Sequence, residues 1–247
     1  MNDEELVKKN LRGIILAGGK GTRLEPLTRI MNKHLVRVGN YPMIEYPLQT
    51  LIKMGIKDIL VISGVHHIGQ IMDYLGSGKQ HGAEFTYRVQ DEAGGIAQAL
   101  ALAEDWAQGK KTAVILGDNI FLQDFKEDAL RFVKGTEGTM LFLKEVMHPQ
   151  RFGVATVDND KITGIIEKPK EPKTNLAVTG LYLYDSTVFN RIKPLKPSGR
   201  GELEITDVNM SYVKDGKTTY KIINQWIDAG TFPSLEEAEK QVREHNK

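Results

Sequence analysis

The sequence predicts an α/β fold: a mainly parallel central sheet flanked by helices, with a smaller antiparallel lobe inserted after it. Three observations predict it. Apolar, β-branched runs alternate with helical stripes through the first half of the chain. The second half carries extended runs joined by a tight turn. The first apolar run, Gly13 to Ala17, stops abruptly at the glycine-rich loop Gly18-Gly-Lys-Gly-Thr-Arg23. On open parallel sheets ligands lie beyond the carboxyl ends of the strands, so polar loops at those ends mark the candidate site.

The elements follow in order. Met1 to Leu11 is polar and reads as a frayed lead-in, Gly13 to Ala17 as a buried strand, and Pro26 to Lys33 as irregular. Pro42 to Met54 places Ile44, Leu48, Leu51 and Ile52 on a helical stripe, with Pro47 inside it and Gly55 closing it. Asp58 to Ser63 is a strand, Ile68 to Leu75 a helix ended by Gly76, and Phe85 to Val89 a third strand. Gly95 to Ala107 reads as one helix, with Ile96, Leu100, Ala103 and Ala107 on one face; Thr112 to Leu116 is the next strand. This β-α-β-α alternation favours parallel pairing. Further on, Phe152 to Val157 and Lys161 to Ile166 flank Asp158-Asn-Asp160, a hairpin turn. Asn175 to Tyr184 is a long strand, Ser186 to Ile192 and Leu203 to Lys214 are helical, and Thr218 to Ile223 is a strand. Ser234 to His245 is a charged helix capped by Ser234, with Glu237 three residues on.

Composition narrows the function. The chain has 247 residues, enough for one large α/β domain burying roughly 70–75% of its unfolded surface. Thirty-three basic residues against 32 acidic ones give a net charge of +1, so neither nucleic acid nor a membrane surface is an expected partner. No apolar stretch approaches 18 residues and no charged-then-apolar leader is present, so a cytoplasmic location is expected. With no cysteine, disulfides, thiolate metal sites and a cysteine nucleophile are excluded.

The glycine loop can wrap a phosphate with its amides, and Lys20 and Arg23 add charge there. It matches neither common motif. A dinucleotide fingerprint needs a glycine where Leu24 stands, and a P-loop needs Ser or Thr where Gly21 follows Lys20. Asp118 directly follows a predicted strand and could hold Mg²⁺, which takes one or two carboxylates plus phosphate oxygens; Asp228 could be the second ligand. Turn capping is the ordinary alternative for both. Glu167 and Lys168 end a strand on opposite faces and need not pair, leaving Lys168 for a phosphate and Glu167 for a hydroxyl. Arg200, between Gly199 and Gly201, presents an exposed fork for a phosphate. His66-His67 has no partner at metal-ligand spacing, and Asp158-Asn-Asp160 is explained by its turn.

In combination these segments resemble the sugar nucleotidyltransferases, and most closely their thymidylyltransferase branch. The matching blocks are Gly13–Leu24, Pro42–Pro47, Gln90–Ala99, Leu116–Asn119, Arg151–Val154, Glu167–Pro169, Ala177–Tyr184, Gly201–Asn209 and Trp226–Thr231. The run Gly201-Glu-Leu-Glu-Ile-Thr-Asp207 is characteristic of that branch. The resemblance implies a Rossmann-like single domain, with a nucleotide-binding part at about 11–120, a sugar-binding part at about 121–231 and a C-terminal helix over 234–247. It implies that α-D-glucose 1-phosphate attacks the α-phosphorus of dTTP in line, giving dTDP-glucose and pyrophosphate with Mg²⁺, the first step toward a deoxysugar such as L-rhamnose.

By position, the resemblance makes Arg23, Lys33 and Asp118 catalytic. It assigns Leu16, Gly18, Gly19, Gly21, Thr22, Arg23, Gln90, Gly95 and Asp118 to the nucleotide, with Gln90 and Gly95 reading the base. Asn119, Gly153, Glu167, Lys168, Val178 and Arg200 go to the sugar phosphate, and Asp118 and Asp228 to the metal. A homo-oligomer, dimer or tetramer, is also implied. Three departures stand out. His34-Leu-Val-Arg37 replaces the family's Gln-Leu-Leu-Pro, changing the stiffness next to Lys33; Phe152 replaces a tyrosine; and the chain ends soon after Trp226, where longer relatives add a helical extension. The alternatives are a transferase preferring UTP or another sugar, and a non-catalytic nucleotide-sugar sensor. A sensor would be expected to lack one of Arg23, Lys33, Asp118 and Asp228, all of which are present.

Overall fold

A computed structural model describes residues 2–66 and 68–245, so His67 of the His66-His67 pair lies outside the described residues. The strands are β1 (Leu11–Ala17), β2 (Arg37–Val38), β3 (Tyr41–Pro42), β4 (Asp58–Gly64), β5 (Glu84–Gln90), β6 (Lys111–Leu116), β7 (Asn119–Phe121), β8 (Thr139–Glu145), β9 (Gly153–Asp158), β10 (Lys161–Glu167), β11 (Leu176–Tyr184), β12 (Thr218–Ile222) and β13 (Trp226–Asp228). The helices are α1 (Asp3–Asn10), α2 (Glu45–Lys53), α3 (Ile68–Leu75), α4 (Ile96–Ala101), α5 (Glu104–Ala107), α6 (Lys126–Lys134), α7 (Val188–Ile192), α8 (Ile205–Lys214) and α9 (Phe232–His245).

One nine-stranded sheet runs through the molecule, in the order β10-β9-β11-β6-β1-β4-β5, with β8 and β12 joined beside β11. Its β6-β1-β4-β5 section is parallel, with Ile15 level with Val61 and with Ile115. Strands β1, β4 and β6 are apolar on both faces, as inner strands covered by helices on both sides require, while the edge strand β5 is only partly buried. Ile15, Val61 and Ile115 pack into one core, and Ile14, Leu60 and Val114 into the other. The antiparallel part extends the same sheet rather than forming a separate one. Strand β11 pairs antiparallel with β8 along one edge, and on the other with β6 near its carboxyl end and with β9 at Ala177. The β9–β10 hairpin closes on Asn159 and Asp160, both at positive φ (47° and 57°), a type I′ turn that asparagine and aspartate tolerate.

Four details differ from expectation. The polar start is an ordered helix, α1, begun by a capping box. The Asn2 side chain accepts from the Glu5 amide (2.8 Å), and the Glu5 carboxylate from the Asn2 amide (3.2 Å). Its acidic first turn pairs with α6 through Asp3–Lys134 and Glu4–Lys126. The expected helix over Gly95 to Ala107 is two, α4 and α5, interrupted at 102–103. The region between Asn119 and Phe152 holds α6 and β8, neither of which the sequence reading placed. The last helix starts two residues before Ser234. Thr231 lies just ahead of it, and Ser234 Oγ accepts from the Thr231 amide (3.0 Å). Pro47 sits in the first turn of α2, where a missing amide costs nothing. No described helix is long and apolar enough to cross a membrane.

Candidate active site

The carboxyl ends of β1, β5 and β6 converge, as parallel packing requires, and the middle of β11 faces them across a cleft of about 370 Å³. Of the residues singled out from sequence, Leu16, Gly18, Gly19, Arg23, Lys33, Gln90, Gly95, Asp118, Asn119, Gly153, Glu167, Lys168, Val178, Arg200 and Asp228 all line it. Lys20, Gly21 and Thr22 do not. Gly21 has φ +65°, and a Cβ there would fall 2.9 Å from the Lys33 Cβ, so the loop folds directly against the stem of Lys33.

At one end of the cleft Lys33 donates to Asp118 Oδ2 at 2.6 Å. Burial works to raise the Asp118 pKa, but the Lys33 ammonium outweighs it, with the Asn119 amide also bonded at 3.0 Å. The carboxyl is held well below the usual carboxylate range. Asp228 is pushed the other way, first by burial and then by the charge on Asp118; the Arg151 guanidinium is 3.9 Å from its Oδ2. Gly230 leaves a gap beside both carboxylates. A Cβ there would lie 3.1 Å from Asp228 Oδ1, 3.3 Å from Arg23 Nη2 and 3.6 Å from Asp118 Oδ2. Two carboxylates around such a gap fit Mg²⁺, which draws its other ligands from phosphates and water. Among the described residues no third His, Cys, Asp or Glu joins them to make an all-protein cage.

Substituting His34-Leu-Val-Arg37 for the family's run does not displace Lys33. Lys33 opens a short 3₁₀ turn capped by Asn32, while Arg37 is an exposed residue of the β2–β3 ribbon. His34 is buried; its amide (2.8 Å) and ring Nδ1 (2.7 Å) both meet Asn32 Oδ1. Burial, and then neighbouring Lys33, push its pKa down to about 3. The unfolded chain protonates this ring near pH 6.5 and the folded one near 3. Between those values the unfolded state therefore binds more protons, and stability falls as the pH drops. Metal-free protein is expected to lose ~2 kcal/mol on going from pH 7.5 to 5 by this route, measured by urea unfolding in chelator. His34→Gln keeps a donor for Asn32 and should flatten that slope; an undiminished slope would assign it to other groups.

The far end of the cleft is polar. Glu167 accepts from Thr206 Oγ1 at 2.6 Å, beside Gly153, where a Cβ would lie 3.4 Å from the same carboxylate oxygen. Two expectations are corrected here. Lys168 does pair with Glu167 (3.4 Å), because it lies just past β10 at φ +42° and the strand's alternation no longer applies. Arg200 is not an open fork: Glu204 holds it through Nε (3.1 Å) and Nη2 (2.6 Å), with Glu167 at 3.2 Å and Glu202 at 3.4 Å. Elsewhere in the cleft wall, the Gln90 Nε2 donates to Gln98 Oε1 at 2.7 Å. Gly95 (φ +98°) brings its loop so close that a Cβ would strike the Leu203 carbonyl at 2.6 Å. Arg151, Tyr182, Glu204, Thr206 and Trp226 also line the cleft and were not among the residues singled out.

A parallel sheet with a glycine loop, paired cations and two carboxylates at its carboxyl edge defines a nucleotide-dependent phosphoryl-group enzyme of the α/β class. The nucleotidyl transferase family profile matches residues 12–245, and the chain belongs to that family. A Neisseria meningitidis protein named glucose-1-phosphate thymidylyltransferase is 42% identical over 238 residues, 94% of this chain and 83% of that protein. A Bacillus anthracis chain given the provisional name glucose-1-phosphate thymidylyltransferase, solved with sucrose, is 53% identical. Its TM-score is 0.91, and the match covers 94% of this chain and 95% of that one. A UDP-glucose pyrophosphorylase solved with UDP-glucose shares the fold at TM-score 0.84 and 21% identity, covering 95% and 99% of the two chains.

Proposed function

We propose that this nucleotidyltransferase condenses dTTP with α-D-glucose 1-phosphate to dTDP-glucose and pyrophosphate. The observation that carries the reading is the division of one cleft. Lys33, Arg23, Asp118 and Asp228 cluster at one end, and Glu167, Gly153, Thr206 and Arg200 at the other, in a chain 42% identical to a thymidylyltransferase. The nucleotide-binding part spans about 11–120 and the sugar-binding part about 121–231.

The sugar phosphate oxygen forms a bond to the α-phosphorus as the bond to the β-phosphate oxygen breaks, and pyrophosphate takes the electron pair. Such transfer needs positioning and charge neutralisation, not a protein nucleophile. Asp118 and Asp228 would hold Mg²⁺, which supplies charge neutralisation at phosphate oxygens when bound. Arg23 and the amides of Gly18 and Gly19 bind the triphosphate. Lys33 shares its charge between Asp118 and the phosphates. Gln90 and Gly95 face the base. Lys168 and Arg200 take the sugar phosphate, and Glu167, Gly153 and Val178 the hexose. The protein acts as a homo-oligomer in the cytoplasm, feeding deoxysugar synthesis.

The test is pyrophosphate release from five nucleoside triphosphates crossed with glucose 1-phosphate and its analogues. dTTP with glucose 1-phosphate should be fastest, with release abolished by chelation. UTP lacks the thymine methyl group and adds a 2′-hydroxyl; the methyl alone is worth ~1–3 kcal/mol in a fitted pocket, so UTP should trail by about 10–200-fold. A preference for another pair would move the base and sugar assignments, and no release from any pair would leave a sensor.

A further inference from the structure

Asn119 was assigned above, by resemblance alone, to the sugar phosphate, yet its bonds point elsewhere. It is 2% exposed, and its Oδ1 accepts two hydrogen bonds, from Trp226 Nε1 (2.6 Å) and from the Gly180 amide (2.9 Å). Two lone pairs are all a carbonyl oxygen has, so that atom has none left for a ligand. Its Nδ2 donates to Asp118 Oδ1 at 3.0 Å. One amide therefore joins three chain segments. Strand β7 carries Asn119 opposite Asp228 of β13, and the Asp118 backbone carbonyl accepts from the Ala229 amide at 2.9 Å. Gly180 lies in the stretch where the β11–β8 register shifts between Val178 and Tyr182. A Cβ on Gly180 would stand 2.4 Å from Asn119 Oδ1, so the contact exists only because that residue is glycine.

We propose that Asn119 is a positioning residue: its buried amide, braced by Trp226 and Gly180, fixes the Asp118 carboxylate relative to Asp228 and so sets the cation site between them. The inference rests on the metal assignment made in the proposed function but not on which nucleotide or sugar is used. A carboxylate free to rotate must be ordered each time a cation binds; one already bonded through Oδ1 to Asn119 and through Oδ2 to Lys33 is ordered beforehand. Trp226 touches the site through the same amide, which makes its emission a reporter of the brace.

The experiment measures Mn²⁺ binding to the full chain, without nucleotide, by water-proton relaxation. Asn119→Leu keeps the shape and removes all three bonds. Loss of an outer partner of a ligand typically costs about 10–100-fold in metal affinity, and that is the expected loss. Unchanged Mn²⁺ affinity with a raised sugar-phosphate KM would overturn the proposal and restore the ligand role. If Asn119→Leu does not fold, Trp226→Phe removes one brace and keeps the ring. It should weaken Mn²⁺ binding several-fold, and unaltered binding would again overturn the proposal. In a Trp106→Phe background, where Trp226 is the sole tryptophan, Mg²⁺ should shift the emission of the otherwise intact protein and leave that of Asn119→Leu unmoved. A wild-type chain that binds no Mn²⁺ would leave the amide nothing to set and would sink the inference. Failure of nucleotide transfer with every pair would sink the proposed function while leaving the Mn²⁺ result standing.

Discussion

Arg23→Ala is expected to lower kcat by about 10²–10³-fold, the usual cost of removing one preorganised donor from developing charge. The side chain springs from the 3₁₀ turn Thr22–Leu24, whose only buried residue is Leu24, and reaches into the cleft beside Gly230. Among the described residues no carboxylate lies within 4 Å of it in an ion pair, in contrast to Lys33, Lys168 and Arg200. Its charge is therefore not consumed by the fold, and deleting an exposed side chain of this kind should change stability by no more than about 0.5 kcal/mol. Turnover and thermal unfolding measured on the same preparation separate the two effects. Arg23→Lys keeps the charge but loses the planar fork, so it should recover part of the rate. If the guanidinium acts on charge that grows during transfer, kcat and kcat/KM fall equally. A rise in KM at constant kcat would make Arg23 a ground-state contact. Near-normal turnover would remove it from the mechanism.

The inner parallel strands β1, β4 and β6 were legible because each is buried on both faces and reads as an apolar run. Asp58 to Ser63 and Thr112 to Leu116 do so, and each appears in the structure within a residue. Helical periodicity was less informative about continuity. Ala103 and Ala107 are buried with Leu100 as the stripe requires, yet the backbone breaks between α4 and α5, because side-chain spacing does not report where the hydrogen-bond ladder is interrupted. Strand β8 has a clear apolar run, Met140 to Leu143, whose four residues are all buried. No glycine-rich loop follows it to mark it out from sequence. Helix α1 carries its signal in Asn2 and Glu5, three apart, a capping box inside a polar segment with little apolar periodicity.

The candidate site divides in the same way. Its loop residues were legible because glycine runs and strand-end carboxylates are local signals. Tyr182 could have been found: Val178, Gly180 and Tyr182 alternate along β11, so placing Val178 in the cleft places the other two on the same face. Thr206 and Asn209, three apart on α8, follow by the same logic once one of them is placed. The conformation of Lys168 and the three carboxylates around Arg200 could not have been read. A positive φ at lysine has no sequence signal, and Glu167 meets Arg200 only through the packing of β10 against α8.

Asp228→Asn distinguishes the two fates open to that residue. Its Oδ1 accepts from the Gly230 amide at 3.2 Å, which is what a turn-capping aspartate does. Asparagine retains that oxygen and the shape of the turn, and loses only the charge. If capping were the whole role, activity and its metal dependence would survive. If the carboxylate shares a cation with Asp118, the support lost is several kcal/mol, or about 10²–10⁴ in kcat/KM, and the Mg²⁺ concentration for half-maximal rate should rise with it. The unfolding temperature should change little, since burial already works against the charge on Asp228. Gly230→Ala attacks the same site without altering any charge. Its methyl would enter the gap bounded by Asp228 Oδ1, Arg23 Nη2 and Asp118 Oδ2, at a φ outside the left-handed region that favours glycine. It should therefore fold normally and still require more Mg²⁺. An unchanged metal titration in Asp228→Asn would return the residue to its turn, and with it in Gly230→Ala the gap would be left without a cation to explain it.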